Sequence, residues 1–308
     1  MEWEVYELVY RALSPIRIGW RTLGYIDLAR YWIPGKNIWA AFTENLARSG
    51  SNVGVSAYEE AGKLLKTSVL PTYFHPAIER EGKLIMMMPI VDKTGLRYGP
   101  LGADEFERVF VASFAQTAIL PHTNSIEEES LHESEYLAAE IIDSETNLSS
   151  PVLFIGYLLI HPGVQFQGKS LGWADKEFCL EQVLSEIFVG GERKYGWGRL
   201  KLKSATRLGP GPEIFGYRMT HGNGDSLPAI TIPANGPLPA HVRAIHGYPV
   251  KGQIEPLVGR EWAYNPEQPA DRSWGPGQKI TEAGFCWMPG SILVEEKTLS
   301  ICSWGILG

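Results

Sequence analysis

Four glycines fall within nine residues in the run Gly190-Gly191-Glu192-Arg193-Lys194-Tyr195-Gly196-Trp197-Gly198-Arg199. Before it, residues 175–188 place Phe178, Leu180, Val183, Leu184 and Ile187 as an amphipathic helix does. After it, Leu200, Leu202 and Ala205 alternate with Lys201, Lys203 and Arg207 as in a strand. A simple helix-to-strand turn needs one or two glycines. Four suit a backbone that takes φ > 0 and lets another backbone approach closely, with N–H groups free to form an anion-binding concavity. Arg193, Lys194 and Arg199 add charge for phosphates. Tyr195 and Trp197 add faces for stacked bases, worth about 1–3 kcal/mol per base in single-strand binders. The run reads as an RNA-binding loop.

The rest of the chain supplies its frame. A Val- and Tyr-rich strand is expected over 4–13, leaving through Ser14, Pro15 and Gly19 into a loop that holds Gly24 and Asp27. Pro34 and Gly35 are turn chemistry, and Asn37 is placed to cap a helix over 37–48 with Ile38, Phe42 and Leu46 on one face. Residues 50–150 are irregular, with a short helix near 57–66, an apolar run at 84–91 and a helix near 103–115. Strand signal returns at 152–160. This order fits an α+β chain: a split βαβ, ferredoxin-like (RRM-like) domain over 1–208 with a large insertion at about 50–150. Beyond Gly209, short strands at Ala229–Ile232, 249–254 and 291–299 in a Gly- and Pro-rich stretch suggest a smaller second domain over 209–308, β-rich or itself ferredoxin-like. Trp32 and Trp39 read as core beside the first helix, and Trp262, Trp274 and Trp287 as packing residues of the second domain.

The formal net charge of −7 argues at first against a nucleic-acid partner. Its distribution matters more. Residues 127–145 hold eight acids and no Lys or Arg, and read as a solvated face, whereas residues 189–208 hold six basic groups against Glu192 alone. Screening limits the reach of a distant acid to about 10 Å at ordinary salt, so a locally basic RNA site on an acidic protein is physically sound. The three cysteines, Cys179, Cys286 and Cys302, are far apart and lack zinc spacing, which points to a reducing compartment and to core packing. No apolar run is long enough to span a bilayer, and the opening residues show no basic leader before an apolar stretch, so a cytoplasmic chain with no membrane partner is expected.

The run Gly190-Gly191 … Gly196-Trp197-Gly198-Arg199 resembles the glycine-rich loop of the RAMP superfamily of CRISPR-associated proteins, which usually carries Phe or a similar residue where Trp197 stands. Pro15-Ile16-Arg17-Ile18-Gly19, followed by Tyr31-Trp32-Ile33-Pro34-Gly35-Lys36-Asn37-Ile38-Trp39, is similar to that family's glycine after the first strand and its Tyr-Ile-Pro-Gly opening of the first helix, with Trp32 inserted. Pro289-Gly290-Ser291-Ile292-Leu293 resembles the Gly-Ser-Val strand of the second domain in subunits that cap crRNA. The resemblance implies a ferredoxin-like fold, often doubled, and binding of crRNA. It also implies partners: a large polymerase-like subunit and backbone RAMP subunits. Among the groups it favours the type III subunit that holds the five-prime crRNA handle, usually not a nuclease. The expected RNA-binding residues are Arg17, Arg21, Lys36, Gly190, Gly191, Arg193, Lys194, Tyr195, Gly196, Trp197, Gly198 and Arg199, with no cofactor and no metal.

Two other readings compete. RAMP subunits that cut target RNA use an acidic residue in the loop after the first strand, and Asp27 matches that place. A repeat-cleaving RAMP ribonuclease usually carries a general-base His early in the chain, but the first His here is His75. Separately, Gly163-Val164-Gln165-Phe166-Gln167-Gly168-Lys169-Ser170 satisfies the phosphate-loop pattern after a strand. Its context is poorer than its letters, because Leu171-Gly172-Trp173 delays the helix that should begin at the lysine.

Overall fold

A computed structural model describes residues 2–120, 122–123, 125–126, 130–142, 149–220, 226–264 and 274–308. Its centre is an antiparallel sheet. The opening strand β1 (Glu4–Ala12) runs beside a strand that is buried throughout its length, Leu153–Ile160, and on its other side beside Arg199–Arg207. The outer strands are His75–Arg80 and Lys83–Met86 beyond Leu153–Ile160, and Glu186–Phe188 beyond Arg199–Arg207; Val69–Pro71 also pairs with Leu153–Ile160. Helices α1 (Gly35–Ser49) and α2 (Val55–Thr67) precede Val69–Pro71 in the chain, after two short strands that follow β1. Leu8, Tyr10 and Ala12 share one core with Phe42 and Leu46 of α1 and Leu65 of α2. Val9 turns the other way, into a smaller cluster with Ala77, Leu153 and Ile155. That alternation is the period-2 geometry of a strand buried on both faces.

The stretch after β1 is a second sheet. Strands β2 (Gly19–Leu23) and β3 (Ile26–Ala29) form a hairpin, and β3 pairs in parallel with His132–Leu137, which pairs in turn with Val111–Gln116. Asp27 therefore sits on a strand, where a loop is expected from sequence. The acidic segment contributes His132–Leu137 to this sheet; its residues 127–129 and 143–145 lie outside the described residues. The C-terminal part adds a sheet of Tyr217–Thr220, Ala229–Ile232 and Lys297–Ser300 and a long hairpin of Ile254–Tyr264 with Trp274–Trp287. One apolar cluster contains Leu8 and Phe42 together with Ile230, Leu299 and Trp304. The side chains of Trp262 and Trp274 lie outside the described residues.

Several elements depart from expectation. The helix expected over 175–188 is only Leu180–Val183; Asp175 has φ +55°, incompatible with helix, and Glu186–Phe188 instead hydrogen-bonds along Arg199–Lys201 as an edge strand. The spacing of Leu180, Leu184 and Ile187 serves either arrangement, and the sheet edge wins. The helix near 103–115 stops at Phe110, where Val111–Gln116 joins the second sheet. Helix α1 starts at Gly35 with Pro34 as its cap and no side-chain cap bond, so Asn37 is already inside the helix. No helix among the described residues is long and apolar enough to cross a membrane.

His75 gives the core a measurable pH dependence. It is fully buried, and its Nε2 donates to the Pro239 carbonyl oxygen at 2.8 Å, while Nδ1 has no partner. Burial pushes its pKa from 6.5 down to about 4. The unfolded chain takes up this proton near pH 6.5 and the folded chain near 4, so the contribution is whole above pH 6.5 and is lost as pH falls toward 4. The expected loss is about 3 kcal/mol. Urea unfolding of wild type and His75→Gln at pH 7 and 4.5 measures it; a variant that loses as much stability as wild type over that interval refutes it.

Candidate nucleic-acid interface

The glycine-rich run leaves the edge strand Glu186–Phe188 and re-enters at Arg199, and its backbone is held against the segment after β1. Gly191 N donates to Arg17 O (2.9 Å), Gly198 N to Pro15 O (2.8 Å), and Arg199 N to Ser14 Oγ (2.9 Å). Val189 N donates to Gly198 O at 2.9 Å and closes the base of the loop. Two glycines are required by this closure. Gly190 has φ +76°, and a Cβ there would stand 2.1 Å from Arg17 O; Gly198 has φ +86°, with Val189 O at 2.0 Å from the same atom. The Pro15–Gly19 and glycine-loop landmarks of the sequence are thus one structure. Its consequence is that three N–H groups expected to face an anion are already bonded to the protein.

All of the expected cations but Lys194 are also partnered. Arg193 contacts Glu44 at 3.0 Å and lies over the Phe188 ring. Arg199 forms a two-pronged pair with Glu186 at 2.7 and 3.0 Å, and that guanidinium holds the Glu186 carboxyl below its ordinary pKa. Arg17, with a side chain only 15 % exposed, bridges Asp27 (3.1 Å) and Glu192 (3.3 Å). Arg21 is exposed and lies 4.1 Å over the Trp20 ring. Lys36 is elsewhere: 11 % exposed, it contacts Thr281 and Glu261 and sits 4.1 Å over Trp304, anchoring the long C-terminal hairpin to α1. Lys194 and Tyr195 project into solvent from the short 3-10 turn Arg193–Tyr195.

Trp197 has neighbours that no local pattern reveals. Tyr136 lies 4.7 Å and Phe114 6.4 Å from it between ring centroids, both from the second sheet. Phe114 is 50 % exposed, so the three rings form a platform open to solvent beside the loop. Pairing of Phe114 with Ser134, and of Ser134 with Asp27, puts Asp27 on the same face of that sheet. There the Asp27 carboxylate accepts from Thr22 at 2.6 Å and pairs with Arg17, so it is engaged within the protein.

The phosphate-loop match does not have that geometry. Gln165–Phe166 and Lys169–Gly172 are the arms of a β-hairpin that turns at Gln167 and Gly168, both with positive φ, and no helix starts at Lys169. Gln167 N donates to Glu60 and Ser170 N to Glu177, so carboxylates take N–H groups a phosphate cradle would need. Lys169 leans over Phe178 at 5.7 Å.

No family model matches the chain, and no curated protein matches it. Solved structures do. A chain of the type III-B Cmr-beta complex bound to cognate target RNA and AMPPnP superposes with a TM-score of 0.50 at 12 % identity, covering 94 % of this chain and 85 % of that one. The chain shares its fold with a chain of the type III-B Cmr-beta complex. The resemblance read from the glycine-rich run is borne out at the level of the fold. A CRISPR protein from Archaeoglobus fulgidus (TM-score 0.36, 12 % identity, 96 % of this chain and 94 % of that one) and oligomeric Cmr4 from Pyrococcus furiosus (0.31, 12 %, 67 % and 100 %) also match, more loosely.

Proposed function

We propose that this chain is a non-catalytic, crRNA-binding subunit of a type III CRISPR effector complex. It grips the five-prime handle across residues 190–199 and the ring platform beside them. In this reading residues 1–208 are a ferredoxin-like RAMP domain, residues 209–308 a smaller second domain, and the partners are crRNA, a large polymerase-like subunit and backbone RAMP subunits in the cytoplasm. The observation that carries it is the juxtaposition of a loop fixed at both ends with exposed Lys194 and Tyr195 and with the Trp197–Tyr136–Phe114 platform. A rigid cation-and-ring surface suits a single strand, whose backbone needs charge and whose bases need faces. The antiparallel order with Arg199–Arg207, β1, Leu153–Ile160 and His75–Arg80 side by side supports the ferredoxin-like assignment.

The engaged state of Asp27 supports a structural role for it rather than RNA cleavage. Incubating purified protein and repeat RNA with Mg²⁺ should leave the RNA intact; cleavage lost in Asp27→Asn would make the chain a target-cutting nuclease instead.

Salt titration tests the grip. Each phosphate contact contributes roughly 0.7 to the slope of log K against log salt for a single strand. Removing Arg193, Lys194 and Arg199 together should lower the slope by about 2 if RNA displaces Glu44 and Glu186 from their arginines, and by about 0.7 if Lys194 alone meets a phosphate. An unchanged slope and affinity would remove the loop from the interface.

A further inference from the structure

The second sheet has another face. With Asp27 and Ser134 toward the glycine-rich run, Leu28 and Glu135 point the opposite way, and that side closes a cavity of 610 Å³. Its far wall is Met288 together with Pro289 and Ser291 of the C-terminal landmark of the sequence. The size lies within the ~300–1,000 Å³ of small-ligand sites. Trp20, Tyr31 and Tyr98 give it aromatic walls, and two carboxylates, Glu107 and Glu135, line it as well.

Those carboxylates define the chemistry. The Tyr31 hydroxyl stands 3.2 Å from Glu107 Oε1 and 3.1 Å from Glu135 Oε1, and its single proton serves only one of them at a time. The other Glu135 oxygen accepts the Ala29 N–H at 2.8 Å. Among the described residues neither carboxylate is paired with a cation, although two arginines also line the wall: Arg30 is committed to Glu255, and Arg21 lies over the Trp20 ring. Trp32, also in the wall and 5 % exposed, has an indole N–H with no acceptor. An aromatic pocket with two carboxylates against one guanidinium not paired to an acid favours a cation over a phosphate.

We propose that this cavity receives an arginine side chain from a basic segment of a partner protein. Its guanidinium lies between Glu107 and Glu135, its flat face rests against the aromatic walls, and a carbonyl of the same segment accepts from Trp32. Arginine fits better than lysine because a planar fork serves two carboxylates and stacks on rings at once. Arg21, grouped by sequence with the RNA-binding residues, faces this cavity instead; the glycine-rich run and the Trp197–Tyr136–Phe114 platform lie on the other face of the sheet.

The test is calorimetric titration of the purified chain with N-acetyl-arginine methylamide, with the lysine analogue and with GMP. Saturable binding of the arginine probe is expected, weakened by about tenfold or more in the double variant Glu107→Gln, Glu135→Gln and unchanged in Trp197→Ala. Leu28→Trp, which fills the cavity and leaves both carboxylates in place, should also abolish binding, and circular dichroism of each variant reports its folding. Absence of arginine binding in wild type, or equal binding in folded Glu107→Gln, Glu135→Gln, would overturn the proposal. Tighter binding of GMP would make the cavity a nucleobase site, and tighter binding of the lysine probe would overturn the choice of arginine.

Discussion

Glu255→Ala should cost about 3–5 kcal/mol of folding stability, a fall in Tm on the order of 10 °C for a chain of this size. Glu255 is buried, and its two oxygens serve four donors. Arg30 reaches both, with Nη2 at 3.0 Å from Oε2; Trp20 Nε1 is 2.9 Å from Oε2; and His241 Nε2 is 2.6 Å from Oε1. His241 is itself fully buried and contacts the Tyr73 hydroxyl through Nδ1 at 2.7 Å. Burial opposes the charge on Glu255, but the hydrogen bonds from His241 and Arg30 outweigh it and hold the carboxyl at about 2. Burial also keeps His241 below its ordinary pKa, so the network is a carboxylate and a guanidinium joined to a neutral imidazole. Truncation leaves the Arg30 charge buried without a partner, and that uncompensated charge is the main cost. Arg30→Ala on the Glu255→Ala background should therefore cost far less than Arg30→Ala alone. Urea unfolding followed by tryptophan fluorescence reads all three variants. A Glu255→Ala loss below about 1 kcal/mol would place the pair in the class of weak exposed bridges.

The same network shows where the sequence is mute. Strands Glu4–Ala12, Leu153–Ile160, Arg199–Arg207 and Ala229–Ile232 and helix α1 are legible because each carries its own periodicity. The partner strand of β3 is hidden, because His132–Leu137 lies in an acidic run whose alternation of Glu133 and Glu135 with Ser134 and Tyr136 reads as a solvated segment. Pairing with β3 is what gives that alternation two faces. Lys36 stands in a motif near the loop landmarks, so sequence groups it with the RNA-binding residues. Its fate is decided by Glu261 and Thr281 on a hairpin far downstream, which no local pattern reports. The glycines were legible as a group, but their division of labour was not. Gly190 and Gly198 are fixed by the carbonyls of Arg17 and Val189, and only the folded backbone brings those carbonyls into range.

Phe114→Ala combined with Trp197→Ala should weaken binding of single-stranded RNA carrying the five-prime end of the repeat by about 2–6 kcal/mol, from about 30-fold to on the order of 10⁴-fold, if each ring carries one base. The rings lie 6.4 Å apart between centroids at 65°, with Tyr136 tilted against Trp197, so neither ring is sealed beneath the other. Phe114 is half exposed, and its loss removes little packing from the protein itself. Trp197 is more enclosed, so its truncation also removes the surface on which Tyr136 rests. Tyr136→Phe keeps that surface and should change affinity little. Stacking and charge separate through salt. Losing rings lowers affinity at every salt concentration and leaves the slope of log K unchanged, whereas losing Lys194 lowers the slope. A double variant with native circular dichroism and wild-type RNA affinity would show that the platform faces something other than RNA. A reduced slope in that variant would show that its rings act by holding Lys194 and its neighbours in place rather than by meeting bases.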